Sequence, residues 1–263
     1  MIRRIQYKGL SIGTDYQEIE WQYEAPYSLE KVEEWLVGRD HGGFGLAALR
    51  GFLKKFTDIY YDTEDWQLYH TGYALRVRQE VPDKDSEVTM KSLVSADGNL
   101  HRRREMSESL KSDKHDMLFM TPGPIGVRLR TLVSPRELRP IFEVRTRRQT
   151  FDLLLDEQPT APGKVRTDSS VDVVRVGEVA LDNSEIPLGD GSVCLARVEV
   201  EVDASVTSAS SKLEGFVKAM EGALGLRPAA MSKYEAGLSV TGQNPNGESS
   251  LKAKAESKGR KKK

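Results

Sequence analysis

Runs of strict apolar–polar alternation recur along the chain, and in several of them the polar side carries charges of a single sign. In Glu18-Ile19-Glu20-Trp21-Gln22 two carboxylates and an amide occupy every second position, with Ile19 and Trp21 between them. In Arg197-Val198-Glu199-Val200-Glu201-Val202-Asp203 the valines alternate with charges. A period of two places i, i+2 and i+4 on one face of a strand, so these segments read as strands with one apolar and one charged face. The same pattern recurs over residues 16–23, 74–79, 87–91, 101–106, 141–152, 171–182 and 194–203. Basic rows accompany the acidic ones. Arg76 and Arg78 flank Val77, Arg145 and Arg147 flank Thr146, Lys91 follows Thr89, and Arg103 shares a face with Glu105.

For a single strand, a charged face meets water as in any one-sided antiparallel sheet. The set is harder to explain that way, because like charges side by side repel unless an opposite charge lies between them. Acidic rows that meet divalent cations, facing basic rows that meet phosphate oxygens, satisfy both. Carboxylate oxygens are the hard ligands that Mg²⁺ takes, and the guanidinium fork matches phosphate.

Helical spacing appears twice, over residues 28–36 and 211–224. In the second segment Leu213, Phe216, Val217, Met220 and Leu224 make one apolar stripe that Gly225 would end. Gly42, Gly43 and Gly45 mark a loop, without a Walker or Rossmann pattern around them. Pro122, Gly123, Pro124 and the Ser134-Pro135 pair break the middle of the chain. Residues 1–240 read as one domain, and 241–263 as a disordered Lys-rich tail. The 263 residues carry a net charge of −1, but the last twelve hold seven Lys/Arg and one Glu, so the remainder carries −7. A net-acidic domain argues against general nucleic-acid binding, leaving the tail as the one segment suited to touch RNA.

One cysteine, Cys194, excludes an internal disulfide framework. With no signal-peptide core and no apolar run of membrane-spanning length, the expectation is a cytoplasmic protein without a membrane partner. His41, His70, His101 and His115 lack metal-ligand spacing and read as surface or loop residues. Cys194 reads as a packing residue, and Trp21, Trp35 and Trp66 as buried area. The oligomeric state leaves no mark on the sequence.

These motifs, taken in order, resemble the CYTH (triphosphate tunnel metalloenzyme) family over most of residues 10–240. Glu18-Ile-Glu20-Trp-Gln22 stands in place of the family's Glu-x-Glu-x-Lys strand. Tyr61-Asp62-Thr63 and Leu75-Arg76-Val77-Arg78 are similar to its Tyr-Asp-Thr and Leu-Arg-x-Arg region, and Val88-Thr89-Met90-Lys91 to its apolar-Thr-apolar-Lys strand. Arg103-Arg104-Glu105, the basic run Arg145-Thr146-Arg147-Arg148, Ala180-Leu181-Asp182, Val198-Glu199-Val200-Glu201 and Ser232-Lys233-Tyr234 complete the series.

The resemblance implies an α+β, mainly β fold: an eight-stranded closed antiparallel β-barrel forming a triphosphate tunnel, with helices packed outside. It implies Mg²⁺ or Mn²⁺ as cofactor, held by Glu18, Glu20, Glu105, Asp182, Glu199 and Glu201. It further implies that Arg76, Arg78, Lys91, Arg103, Arg145, Arg147 and Lys233 bind the substrate, with Glu18, Glu20, Lys91 and Arg147 the catalytic set. The expected activity is metal-dependent hydrolysis of inorganic triphosphate, a polyphosphate or a nucleotide triphosphate. A class IV-type adenylate cyclase and a non-catalytic polyphosphate or nucleotide binder are the alternatives. Two residues depart from the pattern: Gln22 replaces the family lysine, and Ser107 stands where many members carry a second glutamate.

Overall fold

The computed structural model describes residues 14–25, 28–38, 44–80, 86–93, 100–110, 123–156, 173–203 and 210–247. Eight strands carry the architecture: β1 (Thr14–Glu24), β2 (Leu46–Asp62), β3 (Tyr73–Glu80), β4 (Ser86–Ser92), β5 (Leu100–Leu110), β6 (Arg139–Asp156), β7 (Val173–Leu188) and β8 (Gly191–Val202). Their order is β5-β4-β3-β2-β6-β7-β8-β1, and a β1–β5 pairing closes the row into a ring. Every pairing is antiparallel. Closure leaves no long edge unpaired. A two-residue strand, β9 (Arg227–Pro228), hangs on the end of β1. β2, which the alternation did not delimit, is 17 residues long.

Both faces of this sheet are covered, which explains why the charged rows are not solvent faces. On the outside, Trp21, Tyr23, Phe151, Leu153, Val198 and Val200 bury against α1 (Leu29–Gly38) and α4 (Ser210–Leu224), through Trp35, Leu36, Phe216 and Met220. A second outer core joins Leu75, Val77, Val88 and Met90 to Leu68 of α2 (Gln67–His70) and to Ile125 and Leu129 of α3 (Pro124–Leu132). With the apolar side of each strand committed outward, period two sends the charged side into the lumen.

Not every helix packs outside. In α5 (Lys233–Val240), Tyr234 and Leu238 join Tyr60, Ala74, Phe142, Val144 and Ile186 to plug one end of the ring. The Tyr60 and Phe142 rings stack with centroids 4.8 Å apart. A capping box starts α5: Ser232 accepts from the Glu235 amide, and the Glu235 carboxylate accepts from the Ser232 amide. Lys233 thereby opens the helix at the plugged end, aimed into the ring.

No helix among the described residues is long and apolar enough to cross a membrane. The expected loop glycines Gly42 and Gly43 lie outside the described residues, as do His41, His115 and the Lys-rich segment 248–263. Residues 241–247 do not behave as a tail. A turn bonds the Gly247 amide to the Asn244 carbonyl, and Asn246 donates to the Tyr69 hydroxyl at 3.1 Å.

Candidate functional site

The lumen is a cavity of about 410 Å³, within the usual range for a small-ligand site. β1 contributes Glu18, Glu20 and Gln22, each at most 5 % exposed. β8 lies beside it in a register that sets Glu20 opposite Glu201 and Gln22 opposite Glu199. Residues directly opposite share a face, so the two acidic motifs, about 180 residues apart in sequence, become one patch. Glu105 enters from β5, and Asp182 and Glu178 from β7. Facing them are Arg76 and Arg78 of β3, Lys91 of β4, Arg103 of β5, Arg148 of β6 and Lys233 of α5.

These charges pair densely. Lys91 Nζ donates to Glu18 at 2.7 and 3.0 Å and reaches Glu105 Oε2 at 2.6 Å. Arg103 pairs with Glu20 and lies 3.6 Å from Glu18. Arg148 grips Asp182 through two hydrogen bonds of 2.7 and 2.6 Å and reaches Glu199 at 2.6 Å. Lys233 bridges the same two acids, bonding Asp182 and lying 2.5 Å from Glu199. Arg78 holds Asp58 bidentately at 2.7 and 2.9 Å and lies over the Phe56 ring, 3.7 Å from its centroid.

The titration behaviour follows from this pairing. Burial opposes ionisation of Asp58, yet Arg76 and Arg78 hold its carboxyl well below the ordinary carboxylate range. Glu105 and Glu199 are likewise held low, against burial, by Lys91 and Arg76 in the first case and by Lys233 and Arg148 in the second. Burial works against charge on Lys91 too, but Glu105 and Glu18 keep it protonated. Glu201 is the exception. It makes no ion pair with another described side chain, and burial, with Glu18 next to it, pushes its carboxyl up to about 7.

Most residues expected from sequence converge here: Glu18, Glu20, Glu105, Asp182, Glu199, Glu201, Arg76, Arg78, Lys91, Arg103 and Lys233. Arg145 and Arg147 do not, and the expectation for them is corrected. Both point outward. Arg145 is exposed and pairs with Glu143 at 2.7 Å. Arg147 lines a separate outer cleft beside Glu30, Glu33 and Arg50. The inward residue of that strand is Arg148, because Val144 and Thr146 face the lumen and Phe151 and Leu153 must face the outer helices. Asp58, Glu178 and Arg148 were missed. For Asp58 the signal was present: it lies two residues before Tyr60 on the same face.

Two further readings change. His101 is buried, opposite Glu20 and with Nε2 unpartnered, rather than at the surface, whereas His70 is exposed. Cys194 is exposed and does not pack. Trp21 and Trp35 are buried as expected, and Trp66 is half-buried. Gln22 donates its amide to Glu20 at 2.7 Å and leaves Oε1 buried without a partner. Ser107 bonds Glu105 at 3.1 Å.

Among the described residues, no group of three acidic, histidine or cysteine side chains converges into a metal-sized cage, because arginines and lysines hold the carboxylates. The donor set still suits a hard divalent ion. The Glu18, Glu20 and Glu201 carboxylates lie on adjoining positions of β1 and β8, and Glu201, raised first by burial and then by Glu18, has no ion-pair partner among the described side chains.

The CYTH domain model matches residues 47–235. Among solved structures, HpAC1 from Hippeastrum, described as having a dominant triphosphatase activity, superposes with a TM-score of 0.59 at 14% identity, covering 85% of this chain and 96% of that one. A Bacillus halodurans protein with a provisional adenylate cyclase name superposes with a TM-score of 0.53 at 18% identity, covering 84% and 97%. A search of curated proteins returns no match. At such identities the superpositions speak for the ring-shaped fold, while the matched model spans most of the chain, which belongs to the CYTH family.

Proposed function

We propose that the protein hydrolyses the terminal phosphate of inorganic triphosphate or of a triphosphate ester held along the lumen, with Mg²⁺ or Mn²⁺ as cofactor. The observation that carries this reading is the division of the lumen wall. Glu18, Glu20, Glu199 and Glu201 form one patch across β1 and β8, and Arg76, Arg78, Arg103, Arg148, Lys91 and Lys233 face it. Its CYTH membership and the triphosphatase activity described for HpAC1 support the same reading.

Glu18, Glu20 and Glu201 would hold the metal, with Glu105, Glu199 and Asp182 beside them. When bound, the metal offsets phosphate charge and lowers the pKa of a coordinated water. The protein's own part is positioning and fixed charge. Arg76, Arg78 and Arg148 present guanidinium forks to phosphate oxygens, while Lys91 and Lys233 present point charges. The existing ion pairs keep these cations oriented before substrate arrives, and phosphate oxygens would then take over the acceptor role from the carboxylates. Gln22 lacks the positive charge of the family lysine, but Arg103 already lies against Glu18 and Glu20 on the neighbouring strand. That placement supports turnover over mere binding.

The test is incubation of the full chain with inorganic triphosphate or ATP in Mg²⁺ or Mn²⁺, following phosphate and cyclic AMP. Phosphate release that EDTA abolishes is expected. Tight binding without phosphate release would leave a binding protein, and cyclic AMP from ATP would make it a cyclase.

A further inference from the structure

Between the residue pairs Arg50–Phe151 and Leu53–Gln149 the register of β2 against β6 slips, setting Gly51 and Phe52 against the single residue Thr150, so that β2 carries one extra residue. Bulges of this kind re-aim side chains, often beside active sites. This one is built rather than loose. Gln149, nearly buried, donates from Nε2 to the Gly51 carbonyl at 2.7 Å. Thr150 Oγ1 lies 2.5 Å from where a Cβ on residue 51 would sit, so a side chain there would have to displace the Thr150 hydroxyl. Arg50 ties the strand to Glu33 of α1 at 2.8 Å.

The bulge displays Phe52 at 89 % exposure, with Leu49 also exposed beside it, while the exposed Leu53 belongs to the outer cleft with Arg147 and Gln149. Leu49 and Phe52 are two of the six exposed large apolar side chains among the described residues, three positions apart at this end of the strand. An exposed cluster of this sort marks a contact site more often than an isolated exposed leucine does. Its place in the ring narrows what it contacts. Lys54 lies opposite Arg148, and Leu49 opposite Asp152, which in turn faces Glu178, so Lys54 and Leu49 continue the lumen face. Passing down β2 from the plugged end, one meets Tyr60, then Asp58, then Phe56 under Arg78, then Lys54, then Phe52. The aromatic ring therefore lies at the end opposite α5, roughly 7 Å beyond the level of Arg148 at about 3.3 Å per residue.

We propose that the bulge carrying Leu49, Phe52 and Lys54 is a stacking ledge for the base of a nucleoside 5′-triphosphate whose phosphates occupy the lumen. This rests on the triphosphate reading above and names its substrate class. A phosphate chain among the lumen cations projects its organic end past Lys54, where the free face of Phe52 can stack a planar heterocycle and Lys54 can meet the innermost phosphate. Lys54 on the lumen face favours a neutral nucleobase over a cationic heterocycle. Stacking on an aromatic face is tolerant of base identity.

Calorimetric titration of the full chain with non-hydrolysable methylene-bridged analogues of ATP, GTP and inorganic triphosphate, in Mg²⁺, tests this. Phe52→Ala should weaken the ATP and GTP analogues about tenfold and leave the inorganic analogue within about twofold, and Phe52→Trp should restore nucleotide binding. Equal weakening of all three, or of none while the inorganic analogue binds, overturns the ledge and spares the tunnel. A wild-type chain that binds none of the three overturns the tunnel reading and the ledge with it.

Discussion

Replacing Arg148 and replacing Arg147 should have opposite consequences, although the two are neighbours of the same type. Arg148 is 16 % exposed and is shared between Asp182, fully buried, and Glu199, at 12 %. Arg148→Ala leaves two carboxylates in the lumen with Lys233 as their remaining close cation. Removing one partner of a buried pair costs roughly 3–5 kcal/mol. Because Lys233 stays, the lower end applies, about 3 kcal/mol. At a urea slope of about 2–3 kcal/mol per M this moves the unfolding midpoint down by about 1 M or slightly more. Binding and hydrolysis of triphosphate should fall by about 10²–10³-fold, the scale for losing one preorganised donor to developing charge. Arg148→Lys keeps the charge but not the fork, so it should recover most of the stability and little of the activity. Arg147→Ala, on the outer face, should change stability by no more than about 0.5 kcal/mol and leave activity unchanged. Urea titrations and phosphate-release assays on the three variants decide it. If Arg147→Ala abolishes activity while Arg148→Ala does not, the inward assignment of β6 is wrong, and the lumen argument fails with it.

Glu201 sets a pH dependence. Its carboxyl is raised from 4.5 to about 7, so its burial is harmless below pH 4.5 and costs stability progressively as pH rises towards 7. Mn²⁺ must displace that proton, so affinity should increase from pH 6 to 8 in a calorimetric titration, and Glu201→Gln should flatten the profile. Asp58 works in the opposite sense: held below its ordinary 3.8, it stabilises the fold above that pH, and the contribution is lost as pH falls. Asp58→Asn should accordingly destabilise the protein at pH 7 in urea titrations and much less in strong acid. Gly237→Ala would place a methyl against the Phe142 ring, where a Cβ falls 2.1 Å from the nearest ring carbon. It should loosen the α5 plug, lowering stability by about 1–3 kcal/mol, and weaken triphosphate binding through displacement of Lys233.

Alternation alone marked most of the strands, β2 excepted, and their charged faces. Leu75-Arg76-Val77-Arg78 and Val198-Glu199-Val200-Glu201 each carry one apolar and one charged parity, so their inward residues could be named before any fold was known. The ordered series of motifs added the ring. Tertiary structure decided three things. Arg145-Thr146-Arg147-Arg148 places arginine on both parities, so period two is silent about which faces in. The answer came from Phe151 and Leu153 further along β6, whose burial against α1 and α4 fixes the phase of the whole strand. The adjacency of Glu20 and Glu201 depends on β1 closing the ring against β8, a pairing between opposite ends of the chain with no local signal. The α5 plug belongs to the same class. Ser232 and Glu235 cap its start, but its place inside the ring depends on Gly237 letting it approach Phe142, a contact that forms only when distant segments meet.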